Sequence, residues 1–548
     1  MSPGPGTIVT LPLLIPLAGA VLCVLLWGRV AAQRVVAVLT SALLLASSIT
    51  LAASVAGGEV LAVRLGNWPP PVAITLVADA FAAIMVLLNG IVALAAAIYA
   101  FGGVGGERER LGYHPLMLSL FAAVSGAFLT GDLFNLYVWF EVMLLSSFVL
   151  LSLGGTRPQL EGALKYVSLN LLSSVLFLSA IGLVYGLVGT LNMADIATKL
   201  AASEDRSLFT PVAGLLLVAF AIKGGLFPFF FWLPASYHTP SPVVSGVFAG
   251  LLTKVGVYAM IRATGLFVPG DSIDGGVIAE GLVWAAGFTM VTGVLGAAVQ
   301  QDMRRILSFH IVSQVGYMII GLAIAGVALD SAAAMAPDSA ERDAMLATAG
   351  LAMTGAVFYI LHHIVVKANL FFVAGIVEKI SGTGELNRVG GLYRHRPLLA
   401  ALFFVPAMSL AGIPILSGFW GKFVLVRAGI EAGTNWLVAA SLAVSLMTLF
   451  SMTKIWAAVF WSPTKGDTTE DLRVAPLSSF RGVKMMYAAC GGMAAVTIAI
   501  GVGAGFAVDL AEVAGRQLIE PKPYIEALLG EVPSAEVGAI GGAKGRAQ

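Results

Sequence analysis

Long apolar runs follow one another along this chain almost to residue 509, parted by short polar stretches. A helix needs about 20 mostly apolar residues to cross a bilayer. On that measure the pattern predicts about fourteen membrane-spanning helices, over 7–27, 34–55, 76–100, 113–130, 132–154, 162–189, 209–238, 241–266, 276–299, 302–328, 345–380, 398–431, 436–462 and 483–509. The ladder of alternating ten-residue segments that a membrane barrel needs is missing, so the expected fold is an all-α polytopic membrane protein. The first run lacks the basic flank of a signal peptide and is expected to stay as a spanning helix.

Three of the runs are long and contain breakers. Span 7 (209–238) holds Gly224, Gly225, Pro228 and Pro234; span 12 (398–431) holds Gly412, Pro414 and Gly418. Span 11 (345–380) holds Gly355 and a polar run of His362, His363, Lys367 and Asn369, so all three are expected to be broken helices. Broken helices in corresponding positions point to a transport pathway and to internal repeats. Spans 1–3 (1–112) come first, then a five-span unit over 113–266 and a second over 276–462, each with a broken fourth member. An odd number of spans per unit makes the two units inverted repeats. Span 14 (483–509) and a tail (510–548) follow, the tail amphipathic over 516–529 and rich in glycine and alanine from Gly538.

Composition then narrows the function. Charged residues are only 11% of the chain and hydrophobic ones 58%, against about 25% charged in a soluble domain. That excludes a soluble globular protein, a disordered chain and a nucleic-acid binder. The two cysteines, Cys23 and Cys490, sit in apolar stretches and suggest neither a disulfide nor a metal site. No phosphate loop, dinucleotide fingerprint, metal cluster or hydrolytic carboxylate pair is visible, so no cofactor, metal or enzymatic chemistry is expected.

The 31 basic residues orient the chain. Sixteen fall in loops after odd-numbered spans and six after even-numbered ones, Arg262 among the six; four lie in the tail. By the positive-inside rule the odd loops are cytoplasmic and both termini lie outside. The remaining five are lysines within spans: Lys223, Lys254, Lys367, Lys422 and Lys454.

An ionisable residue inside a span is costly and marks a functional candidate. Lysine suits proton transfer because its proton affinity is adjustable, where arginine stays charged. Glu141 is the clearest buried acid, near the middle of span 5, with Lys223 as its expected partner; the structural alternative is a carboxylate that only ties two helices. Asp79, Asp132, Glu280 and Glu378 lie nearer span ends, where solvated structural roles are expected. His363 and Lys367, four apart, share a helix face, and imidazole can relay a proton near neutrality. His362, His310 with Ser313, His238 and Lys454 are further pathway candidates, Lys454 with snorkelling as its alternative. Ser146 and Ser147 could line the same route. His114 and His395 are read as loop residues.

These residues carry a resemblance over about residues 70–460. The chain resembles the antiporter-like subunits shared by Mrp-type multi-subunit cation/proton antiporters and respiratory complex I. The marks are Glu141, Lys223 before Gly-Gly-Leu-Phe-Pro, Trp232-Leu-Pro234, Ser241-Pro-Val-Val-Ser245, Lys254, Asp302-Met-Arg-Arg-Ile-Leu-Ser308, His363-Ile-Val-Val-Lys367 and Gly412-Ile-Pro-Ile-Leu-Ser-Gly-Phe-Trp-Gly-Lys422. Within that superfamily, Phe134-Asn-Leu-Tyr-Val-Trp-Phe-Glu141-Val and Ser308-Phe-His-Ile-Val-Ser-Gln-Val-Gly-Tyr317 are similar to the D branch of the Mrp-type Na⁺/H⁺ antiporter subunits. Lys422 departs from complex I members that carry glutamate there.

The resemblance implies fourteen helices, inverted five-helix repeats, a Glu/Lys/His chain across the mid-plane and partner subunits A, B, C, E, F and G, with protons and Na⁺ exchanged across a bacterial plasma membrane. The expected proton pathway is Glu141, Lys223, Lys254, His363, Lys367 and Lys422. The alternatives are a proton-pumping membrane subunit of complex I or a membrane-bound hydrogenase, and a non-conducting structural subunit.

Overall fold

The computed structural model describes residues 4–203, 208–268, 273–463, 476, 477 and 480–530. The charged loop expected over 466–473, the tail from Gly538, and Arg206, Lys465, Lys544 and Arg546 lie outside the described residues. The chain opens with α1 (Pro5–Leu25) and α2 (Val30–Val55). A small antiparallel hairpin, β1 (Leu61–Arg64) with β2 (Thr75–Ala78), pairs Leu61 with Ala78 and is the one departure from an all-helical reading among the described strands. Then come α3 (Ala80–Gly103), α4 (Gly106–Arg110), α5 (Tyr113–Leu129), α6 (Leu133–Ser152), α7 (Arg157–Val188), α8 (Met193–Ala202), α9 (Phe209–Gly224) and α10 (Trp232–Ser236). Next are α11 (Pro242–Val247), a π-helical turn (Phe248–Leu252), α12 (Thr253–Phe267), α13 (Ile273–Val299), α14 (Met303–Ala333), α15 (Ala340–Ser381) and α16 (Leu392–His395). The chain continues through α17 (Pro397–Ala411), α18 (Ser417–Glu431), α19 (Asn435–Trp456), α20 (Val483–Val502), α21 (Ala504–Ile519) and α22 (Lys522–Leu529).

Among the described residues, eleven helices are long and apolar enough to cross a membrane, and three shorter apolar helices, α5, α9 and α17, stand where further spans are expected. Two elements are enclosed by protein along their most apolar stretch: the Pro242–Phe267 segment and α15. α15 is the centre of the bundle and packs on α3, α11, α14, α17, α18, α20 and α21. By contrast α7, α19 and α20 bury only one face.

Spans 7 and 12 are broken as expected. α9 ends with Gly225 at φ 74°, and Leu226 N–H reaches back to the Ala221 carbonyl at 3.0 Å. α17 ends the same way, with Gly412 at φ 93° and Ile413 N–H on the Met408 carbonyl at 3.1 Å. Glycine takes this left-handed position without a Cβ penalty and closes the helix.

Span 11 is not broken: α15 runs unbroken for 42 residues. Gly355 is a close-packing glycine, since a Cβ there would come within 2.9 Å of the Leu425 side chain on α18. The polar run leaves the helix intact because side chains alone do not free backbone groups, and no proline is present to do so.

The α6–α7 pair and the α14–α15 pair are tied by matching contacts. Leu133 N–H donates to Leu191 O (2.9 Å) and Met193 N–H to Gly131 O (2.9 Å); Met303 N–H donates to Gly384 O (3.0 Å) and Leu386 N–H to Gln301 O (2.8 Å). Asp132 and Asp302 each cap their helix, accepting from Asn135 N–H at 2.8 Å and Arg305 N–H at 2.9 Å. Gly189 and Gly382 close α7 and α15 at φ 71° and 72°.

The tail is part of the body. α20 ends at Val502, short of the expected 509, and a new helix starts at Ala504. α21 packs on α15, and α22 on α8 and the hairpin. Gln517 accepts from Ala80 N–H at 3.0 Å and donates to Gly58 O at 2.8 Å.

Candidate functional site

A lysine at membrane depth needs acceptors, and a regular helix uses its own carbonyls up. The breaks supply them. Lys422, on α18, turns back across the break and donates to Leu410 O and Ala411 O, each at 3.1 Å. These are carbonyls left free at the C-terminal end of α17, the end of a helix that favours a cation. The Tyr317 ring faces the same ammonium, 4.8 Å from Nζ.

Lys254 follows the π turn, which shifts the bonding of the preceding residues. Its Nζ donates to Ala249 O at 2.5 Å and to Thr253 Oγ1 at 3.1 Å.

Lys367 and His363 project from the enclosed α15 and are completely buried. Lys254, Lys367, His362 and His310 all lie within electrostatic reach of His363. His310 on α14 is in turn within reach of Lys367 and Lys422. The Lys367 ammonium and both ring nitrogens of His310 and His363 are buried without a hydrogen-bond partner among the described residues. His362 is anchored differently. Its Nδ1 bonds Ser417 Oγ at 2.8 Å, and Ser417 Oγ bonds Ser409 Oγ at 2.9 Å, so it is tied to the rim of the α17–α18 break.

The expected Glu141–Lys223 ion pair is not formed. Lys223, in the last turn of α9, donates to Ser174 Oγ on α7 at 3.1 Å and sits 5.0 Å from the centre of the Phe140 ring. Glu141, half-buried on α6, is within electrostatic reach of that ammonium, and its Oε1 is buried without a hydrogen-bond partner among the described residues. A neutral hydroxyl and an aromatic face therefore hold Lys223, with the carboxylate acting from further off. Ser147 bonds Tyr166 Oη at 2.6 Å, which ties α6 to α7.

Two candidates stand away from this row. His238 donates from Nδ1 to Pro234 O at 2.8 Å, closing the end of α10 near Arg304 and Arg305. Lys454 donates to Ala298 O (3.0 Å) and Gln300 O (2.7 Å), and so caps the C-terminal end of α13. Asp79 is buried, not solvated, and forms a two-pronged ion pair with Arg262 at 2.6 and 2.8 Å. Arg262 thus lies inside α12 and not in a loop. Glu378 pairs with Arg304 at 2.6 Å, and His114 is a buried α5 residue bonded to Glu109 at 3.2 Å.

Sequence reasoning missed the aromatic and amide members. Tyr359 Oη donates to Gln314 Oε1, and its ring stacks on Tyr317 at 5.2 Å. Their signal was helical spacing: His310, Ser313, Gln314 and Tyr317 share an α14 face, as do Tyr359, His363 and Lys367 on α15.

A family model described as NADH:quinone oxidoreductase/Mrp antiporter, transmembrane, matches residues 130–336 and 344–448. The chain is 42% identical over 527 residues to the Na⁺/H⁺ antiporter D subunit of Alkalihalophilus pseudofirmus, covering 96% of this chain and 100% of that one. It is 36% identical over 523 residues to the corresponding D subunit of Bacillus subtilis, covering 95% and 99%. A chain in the structure of the Mrp complex from a Dietzia species superposes with a TM-score of 0.83 at 32% identity, over 96% of this chain and 99% of that one. A chain of an archaeal membrane-bound sulfane sulfur reductase shares the fold, with a TM-score of 0.80 at 24% identity over 96% and 99%. The chain belongs to the NADH:quinone oxidoreductase/Mrp antiporter family of membrane subunits, in the branch of the Na⁺/H⁺ antiporter D subunits, and is a transporter subunit, not an enzyme.

Proposed function

We propose that this chain is the proton-translocating subunit of a multi-subunit Na⁺/H⁺ antiporter in a bacterial plasma membrane. The observation that carries this reading is the unbroken electrostatic row Lys254–Lys367–His363–His310–Lys422, held largely by the two enclosed elements. Buried bases in reach of one another pass a proton without any of them crossing the bilayer. The geometry adds a division of labour. Lys254 and Lys422 have backbone acceptors that hold a cation, whereas Lys367 and the two histidines have none among the described residues and act as sites of passage. Glu141 and Lys223 act as the charge switch, working through the Ser174 contact and not through a direct ion pair.

The matching backbone ties of α6–α7 and α14–α15 support two related five-helix units, 113–266 and 276–462, inverted relative to each other. Both termini lie outside. The chain works within an Mrp complex with partner subunits A, B, C, E, F and G, and Na⁺ takes another subunit or an interface.

The test is Na⁺/H⁺ exchange in everted vesicles carrying the whole complex. Lys367→Ala, Lys422→Ala and Glu141→Ala should each abolish exchange while the complex still assembles. Wild-type exchange in all three would exclude the proposed pathway.

A further inference from the structure

The row just described has an electrostatic difficulty. Lys254, Lys367, His363, His310 and Lys422 are all bases, and none of them has a carboxylate within 4.0 Å among the described residues. A proton on any one of them is then a positive charge in a poorly solvated interior with no counter-ion beside it, which is costly. Something uncharged must hold it.

Between His363 and Lys422 stands a buried unit of three side chains. The Tyr317 and Tyr359 rings stack, 5.2 Å between centres and 24° between planes. The outer partner of this stack, Tyr317, presents its face to Lys422 Nζ at 4.8 Å. The inner partner, Tyr359, packs against both imidazoles, with its ring centre 5.6 Å from that of His362 and 6.4 Å from that of His363. The Tyr359 hydroxyl proton is committed to Gln314 Oε1, so the hydroxyl oxygen is left with lone pairs alone to offer. Gln314 itself is fully buried.

We infer that Tyr359, oriented by Gln314, is a positioning residue for the passage of the proton from His363, by way of His310, to Lys422. It works with Tyr317 as an uncharged substitute for a counter-ion. The Tyr359 oxygen accepts a hydrogen bond from the protonated carrier on the histidine side, and the Tyr317 ring face steadies the ammonium on the other. Gln314 decides the polarity of the unit: with the phenolic hydrogen tied down, Tyr359 only accepts. The inference rests on the proton pathway proposed above.

The test uses the whole complex in everted vesicles. Tyr359→Phe keeps the stacked ring and removes the hydroxyl; Gln314→Leu removes the partner that orients it. Each should lower the maximal exchange rate about tenfold or more, the effect of a lost buried hydrogen bond on a step that needs it, and leave the half-saturating Na⁺ concentration unchanged. Each should also increase the slowing of exchange in D₂O, because the weakened proton step then limits the rate. Tyr99→Phe removes another buried hydroxyl, one that donates to Phe372 O at 2.8 Å away from the row, and should exchange like wild type.

Complex recovery is measured for every variant, and if Tyr359→Phe does not assemble, Gln314→Leu decides. Exchange within twofold of wild type in the assembled variants, with Lys367→Ala inactive, overturns the inference and leaves the pathway standing. Exchange lowered without a larger effect of D₂O also overturns it, assigning the pair a packing role. Wild-type exchange in Lys367→Ala overturns the pathway and the inference together.

Discussion

Neutralising Asp79 should destabilise the assembled protein more than any single loss of a surface charge. Asp79 has two duties. Its Oδ1 accepts from Ala82 N–H at 2.9 Å and so caps α3, and both carboxylate oxygens hold the Arg262 guanidinium at 2.6 and 2.8 Å. Both side chains are almost wholly buried, at 0% and 5% exposure. Asp79→Asn keeps the size and the cap but strands a buried guanidinium, which costs about 3–5 kcal/mol. The cost should fall at the lower end, near 3 kcal/mol, because Tyr258 Oη still bonds Arg262 at 3.0 Å and the Tyr524 ring faces it at 4.9 Å. Asp79→Ala also removes the cap, adding about 1 kcal/mol. Asp79→Asn with Arg262→Met removes both charges and should recover most of the loss, since a buried pair replaced by neutral groups is often close to neutral. The assay is thermal melting of the purified complex in detergent, followed by size-exclusion chromatography. The expected order of melting temperature is wild type, double variant, Asp79→Asn, Asp79→Ala. A double variant that melts no higher than Asp79→Asn would refute the reasoning, for then the stranded charge is not the source of the loss.

Three further outcomes follow from single contacts. Gly418→Ala should cut exchange sharply in assembled complex, because a Cβ there meets the Ser409 carbonyl and comes within 2.8 Å of the His362 ring, an overpacking of about 1–3 kcal/mol at the rim of the break; wild-type exchange would show that the rim can yield. Lys454→Gln should leave exchange unchanged and lower the melting temperature slightly, since it gives up two carbonyl contacts worth roughly 1 kcal/mol; loss of exchange would put Lys454 on the pathway. On α4, burial pushes the Glu109 carboxyl up, but hydrogen bonds from His114 and Arg34 outweigh this and hold it below its usual range. A depressed carboxyl stabilises the fold above its unfolded value, about 4.3, and loses that contribution as pH falls through the lower folded value. Melting curves between pH 3 and 5 should therefore be less pH-dependent in Glu109→Gln than in wild type; equal slopes would contradict the assignment.

The spans were legible because membrane length and hydropathy leave little freedom, and the breaks at Gly225 and Gly412 were legible because glycine and proline cluster there. Gly355 misled for a physical reason. A glycine inside a helix admits a neighbour as readily as it breaks the backbone, and only the position of Leu425 distinguishes the two. The π turn before Lys254 had no sequence signal, since Phe248-Ala-Gly-Leu-Leu252 suits an ordinary helix equally well. Burial was hidden for the same reason. Lipid-facing and protein-facing side chains are equally apolar, so α15, enclosed all round, and α7, buried by this chain along one face, read alike. Charge near span ends was misjudged because Asp79 and Arg262 are 183 residues apart, and only the packing of α12 against the start of α3 makes each acceptable inside.

What joins the legible breaks to the hidden contacts is the supply of carbonyl groups. In hydrocarbon an ammonium has no water to turn to, and a regular helix spends each carbonyl on its own ladder. Lys422 is placed where that ladder ends, at the C-terminus of α17, and takes the carbonyls there, while Lys254 follows the π turn and takes the Ala249 carbonyl within it. Lys223 lies two residues before Gly225 yet points away to Ser174 and the Phe140 face, so its ammonium is held by neutral groups and not by an ion pair. Lys367 lies on the unbroken α15 and has no acceptor among the described residues. On the proposed pathway the helix irregularities therefore set where a proton rests, and the regular helix between them sets where it must keep moving. Restoring regular bonding at either irregularity should then cost transport more than stability.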